Sequence, residues 1–104
     1  MQKVLLASIA MLVLGTTAAH ANIDCRVDQR PVERRICSDS TLLDRDATMS
    51  AYYYRLRNNM ARRGARELLD NQREWLSMRD QCMSNKCLME MYDLRIRDLR
   101  SVLD

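Results

Sequence analysis

The chain has 104 residues, with 17 Lys and Arg against 14 Asp and Glu and a formal net charge of +3. That length suits one small domain. So mild a positive excess gives no argument for a nucleic-acid partner, and two glycines in the whole chain leave no material for a glycine-rich phosphate loop.

Residues 1–3 form a short basic start, residues 4–15 an apolar run, and Ala19-His20-Ala21 an A-x-A cleavage signal. Together they read as a secretory signal peptide over residues 1–21, cut after Ala21, with residues 22–104 as the single mature domain. The apolar run falls short of the ~20 residues a spanning helix needs, so no transmembrane anchor is expected after cleavage. Lipid attachment would need a cysteine directly after a small-residue box, and Cys25 follows Ala21-Asn22-Ile23-Asp24 instead. The expected product is a soluble secreted or periplasmic protein. Removing Lys3 lowers the balance to 16 basic against 14 acidic residues, a net of +2, and the cut also removes His20, the only histidine.

All four cysteines, Cys25, Cys37, Cys82 and Cys87, lie in the mature part. An even count in a short exported chain reads as a disulfide framework that supports a core too small to be stable alone. A zinc site would need four thiolates at irregular spacing, without histidine, in an oxidising compartment. Neither a metal nor another cofactor is expected. Short loops close most readily, which favours Cys25 with Cys37 and Cys82 with Cys87, although an up-down bundle would also bring Cys37 near the late pair and leaves a cross pairing open.

Residues 22–30 read as an extended leader. Pro31 suits the first turn of a short helix through Ile36, and Ser38-Asp39-Ser40-Thr41 offers N-caps for a long helix that Gly64 would end. On that helix Leu42, Met49, Tyr53, Leu56 and Met60 share one face, and Leu43, Ala47, Tyr54 and Ala61 another. So wide an arc predicts contact with two partner helices. A second helix, about residues 65–82, carries Ala65, Leu68, Leu69, Trp75 and Leu76 on one stripe. After a break near Ser84-Asn85, a third carries Leu88, Met91, Tyr92, Ile96, Leu99, Val102 and Leu103. No useful length alternates with period two. The expected fold is all-α: a small disulfide-bonded antiparallel helical bundle of about three main helices plus a short leader helix.

Two arginines and a glutamine sit on these apolar seams. At about 100° per residue, Gln72 and Arg79 fall inside the arc of Leu68, Leu69, Trp75 and Leu76, and Arg95 falls between Tyr92 and Leu99. Buried without partners they would be strongly destabilising. Asp44, Asp46, Asp80 and the Tyr92 hydroxyl are the candidate partners. Gln72, Arg79, Tyr92, Arg95 and Asp44 are assigned to a structural polar network that fixes helix register, because arginine seldom acts as an acid or base.

Chemistry-bearing patterns are few. Once His20 is gone, no Ser-His or Cys-His pair is available, and an enzyme is the class least supported. Met83, Met89 and Met91 are a potential copper(I) set by residue type alone, but Met89 and Met91 lie about 200° apart on a helix and do not converge. Arg55, Arg57, Arg62, Arg63 and Arg66 cluster about the first interhelical turn with Tyr52-Tyr53-Tyr54 nearby, which suits an anionic envelope component.

The ordered set of a leader Cys, E-x-x-I-C-S-D at residues 33–39, Leu43-Asp44, a tyrosine in the first long helix, Q-x-x-W-L-x-x-R-D-x-C at 72–82 and C-x4-Y-x2-R-I-x2-L at 87–99 resembles the LprI-type lysozyme inhibitors. The resemblance covers essentially the whole mature chain. It implies a small, exported, cysteine-bonded helical domain whose partner is a protein, lysozyme, and whose activity is inhibition. A lysozyme cleft holds two carboxylates, and a rigid loop bearing hydrogen-bond donors would exclude the glycan. Ser84, Asn85 and Lys86, clamped if Cys82 pairs with Cys87, are the candidate partner-binding residues. The alternative is an envelope-associated structural module that binds an anionic surface component without inhibiting.

Overall fold

A computed structural model describes residues 23–27 and 30–104, in which four α-helices follow one another: α1 (Pro31–Cys37), α2 (Ser40–Asn58), α3 (Arg62–Arg79) and α4 (Asn85–Leu103). The expected signal peptide lies outside the described residues. No helix among them is long and apolar enough to cross a membrane.

Local chemistry sets most of the helix ends. Pro31 begins α1, where its missing N–H removes no bond, and the Glu33 carboxylate reaches back to accept from the Arg30 backbone N–H at 3.1 Å. Asp39 caps α2, its Oδ1 accepting from the N–H groups of Thr41 at 2.9 Å and Leu42 at 3.2 Å. Ser84 caps α4 by accepting from the Cys87 N–H at 3.1 Å.

Two boundaries differ from the sequence expectation. The chain leaves α2 at Asn58, six residues before Gly64: the Asn59 amide donates to the Arg55 carbonyl at 2.7 Å, and Ala61 is extended, so the turn is complete before the glycine is reached. Gly64 therefore sits in the first turn of α3, with no positive φ. At its other end α3 stops at Arg79 rather than Cys82. The next residues turn back, with the Gln81 and Cys82 N–H groups donating to the Met78 and Arg79 carbonyls at 3.1 and 3.0 Å.

Cross-helix pairs give the topology. Asp39 meets Asn85 and Asp46 meets Tyr92, so α2 and α4 run in the same direction. Arg79 meets Tyr92 and Gln72 meets Arg95, so α3 runs against them. The result is an up-down-up bundle with α1 packed across one end of α2. The principal interface joins α2 to α4, where Leu42, Met49, Tyr53, Leu88, Tyr92 and Leu99 are buried with Ile36 of α1. Each such side chain contributes about 1.5–3 kcal/mol by leaving water.

α2 packs against both other long helices, as its wide apolar arc predicts, and its second face also borders the leader. Leu43, Ala47 and Tyr54 line an open groove whose other wall is the leader, Ile23 to Arg26, rather than a further helix. Both disulfides, Cys25–Cys37 and Cys82–Cys87, lie at the α1 end of the bundle, with Cα separations of 5.8 and 5.5 Å.

The Gly64 position yields a test. The nearest side-chain atoms to a Cβ built there are those of Met60, at 3.7–3.9 Å, which is ordinary contact. Gly64→Ala is expected to raise stability by about 0.5–1 kcal/mol, because alanine reduces the freedom of the unfolded chain and adds no clash. Urea unfolding midpoints check this, and a lower midpoint would mean that the turn requires glycine after all.

Candidate functional site

The polar residues on the seams meet in two cross-braces. In the first, Arg79 of α3 donates through Nη1 to the Tyr92 hydroxyl of α4 at 3.3 Å, and that hydroxyl donates to Asp46 Oδ1 of α2 at 2.9 Å. All three side chains are essentially buried. The other Asp46 oxygen accepts the backbone N–H of Ile23 at 3.0 Å, which pins the leader to α2. The remaining Arg79 nitrogens, Nε and Nη2, fork onto Asp80 Oδ1 at 3.1 and 2.9 Å. Asp80 Oδ2 in turn pairs with Arg30 at 2.7 Å, carrying the brace to the start of α1.

In the second brace, Arg95 of α4 donates to Gln72 Oε1 of α3 through Nε at 3.1 Å and Nη2 at 2.8 Å, and through Nη1 to Asn71. The Gln72 amide passes the contact on to the Met49 sulfur of α2 at 3.4 Å. Trp75 lies between the braces, edge-on to Tyr92 with centroids 5.1 Å apart, and the Arg79 and Arg95 guanidinium carbons each lie 5.9 Å from its ring centroid. Its indole Nε1 is buried without a hydrogen-bond partner.

Gln72, Arg79, Tyr92 and Arg95 thus meet in one buried system. Asp44 does not join them: it lies on the exposed side of α2, and Asp46 takes the carboxylate position. The reason is angular, since Asp46 shares the face of Leu42, Met49 and Tyr53 and Asp44 is nearly opposite. Burial is the largest influence on Asp46 and Tyr92 alike. It pushes the Asp46 carboxyl above its ordinary range, against the hydrogen bonds from Ile23 and Tyr92. Burial, reinforced by the neighbouring Asp46, also holds the Tyr92 phenol well above its usual value, so the hydroxyl keeps its proton and remains a donor.

The bridged turn stands at the opposite extreme of exposure. The Cys82–Cys87 disulfide closes its base, and Ser84 is committed to capping α4. Asn85 is tied on both sides, donating to Asp39 Oδ2 at 3.1 Å and accepting from Arg35 at 3.4 Å. Lys86 is exposed, and Met83 in the same turn is 86 % exposed.

The first brace generates two predictions. Arg79→Ala is expected to cost about 3–5 kcal/mol by leaving buried polar partners unpaired. Arg79→Lys will restore only part, because one ammonium cannot fork onto Asp80 and reach Tyr92 together. Parent-like chemical denaturation of both variants would remove the brace from the account. For Asp46, the folded state binds its proton more tightly than the unfolded chain, so its contribution to stability is present at low pH and lost as pH rises through the raised folded value. The melting-temperature advantage of the parent over Asp46→Asn is therefore expected to widen from pH 7 to pH 4, and a narrowing gap would show an ordinary stabilising carboxylate.

No curated protein and no solved structure matches the chain. A family model described as lysozyme inhibitor LprI matches residues 24–99, from the leader through Leu99 of α4, and thus takes in the four cysteines, both braces and the bridged turn. The chain belongs to the LprI lysozyme inhibitor family.

Proposed function

We propose that the mature chain is exported, with cleavage after Ala21, and inhibits lysozyme by inserting the bridged turn into the glycan cleft. The observation that carries this reading is the division of labour in the turn. Ser84 and Asn85 are engaged within the fold, so the backbone they hold is preorganised, and Met83 and Lys86 project from it. Preorganisation lowers the ordering entropy lost on binding. An exposed methionine with an exposed lysine three residues on suits a cleft with apolar walls and two carboxylates, where the ammonium meets the acid pair and the thioether fills a sugar subsite. Occlusion needs no chemistry from the inhibitor, which agrees with a family named for inhibition rather than catalysis.

Charge restricts how binding is reached. A mature domain of net +2 is weakly repelled by a basic lysozyme at long range, so affinity must rest on local contacts. Inhibition is then expected to hold or improve slightly as salt rises.

A cell-wall lysis assay tests the reading, with purified oxidised protein titrated against chicken-type and other lysozymes. Stoichiometric inhibition is expected, with loss on reduction. Met83→Ala with Lys86→Ala is expected to weaken it about 10- to 100-fold, the range of a truncated interface anchor. Failure of the folded protein against every lysozyme class would reject the function. Full potency of the double variant would reject this turn as its site.

A further inference from the structure

The end of the bundle opposite the bridged turn carries a second feature. Residues 47–66, the latter part of α2 with the turn into α3, contain five arginines and no acidic residue, in a chain that has 14 acids elsewhere. Arg55, Arg57, Arg62, Arg63 and Arg66 are all exposed. None of the five forms an ion pair among the described residues, whereas Arg26, Arg30, Arg45 and Arg79 do. Arg57 lies over the Tyr54 ring, 5.7 Å from its centroid.

Folding gives no reason for part of this cluster. Arg62, Arg63 and Arg66 occupy the start of α3, which has no acidic residue in its first turn and no side-chain cap, so their charge opposes the helix dipole. They span about 100° of the face turned away from Trp75 and Arg79. Residues that break a local rule with no compensating gain in the fold point to a partner. Half-buried Tyr52, Tyr54 and Met60 are interleaved with the arginines and add apolar edges to the same end. Cations mixed with amphipathic aromatic and thioether side chains fit a lipid interface, where headgroup phosphates and the acyl boundary lie together. A soluble polyanion would engage the charge alone.

We propose that this arginine-rich end docks on an anionic lipid headgroup surface. The 19 residues of α2, at about 1.5 Å each, then hold the bridged turn roughly 28 Å from the lipid, facing outward. Lipid docking and lysozyme inhibition use opposite ends, so either can fail without the other.

The test is cosedimentation of the full mature, oxidised chain with phosphatidylcholine vesicles, with and without about 30 % phosphatidylglycerol, at about 0.05 and 0.5 M salt. Binding to the anionic vesicles alone, falling at high salt, is expected. Each arginine removed should weaken partition about fivefold, so Arg62→Gln/Arg63→Gln/Arg66→Gln together should lose about 100-fold. Arg34→Gln/Arg35→Gln at the other end should partition like the parent. The triple variant should melt no lower than the parent, since three cations leave a helix start, and should inhibit lysozyme equally. Equal partition onto neutral vesicles, a parent-like triple variant, or retention on a sulfated-glycan resin without vesicle binding would each overturn the proposal.

Discussion

A single hydroxyl group holds three helices in register. Tyr92 has one proton to give and lone pairs to share, and it gives the proton to Asp46 of α2 while accepting from Arg79 of α3. Apolar burial is non-directional and would tolerate α3 sliding by a turn against the α2–α4 pair. The hydroxyl does not tolerate it: a shifted α3 would leave a guanidinium and a carboxylate buried without partners, a loss that few apolar contacts offset. The buried side chains of α3 are Gln72, Trp75 and Arg79, with Leu68 and Leu76 only partly buried beside them, so polar groups and one indole do much to determine where that helix lies.

This brace also positions the bridged turn. Asp80 follows directly after α3, is held by Arg79 and is paired with Arg30 at the entry to α1. The chain thus enters the turn from an anchored point two residues before Cys82. On the far side, Asn85 is fixed to Asp39 and Arg35, so the turn is attached at once to α1, α2, α3 and α4. What projects from it is therefore displayed by the whole scaffold.

Much of this was legible from helical angles. Gln72, Arg79 and Arg95 stand out because polar residues on an apolar arc must find one another, and Asp46 was available by the same arithmetic, lying amid Leu42, Met49 and Tyr53 where Asp44 does not. Three features were not legible. The leader is pinned to Asp46 of α2 through a backbone N–H, which leaves no pattern of side chains to read. The early end of α2 depends on an Asn59 side chain bonding back to Arg55, a local competition that the more conspicuous Gly64 obscured. The tethering of Asn85 joins residues 46 positions apart, beyond the reach of periodicity.

Both disulfides are local, with cysteines 12 and 5 positions apart, and neither joins one long helix to another. Four cysteines allow three complete connectivities. Here the native one has the smallest loops, which an unfolded chain closes most often by chance. For a chain exported as proposed, these two pairings would form ahead of the long-range contacts of the bundle. Its oxidation needs an electron acceptor but little reshuffling, and the long-range order of the bundle is left to Tyr92 and the side chains around it.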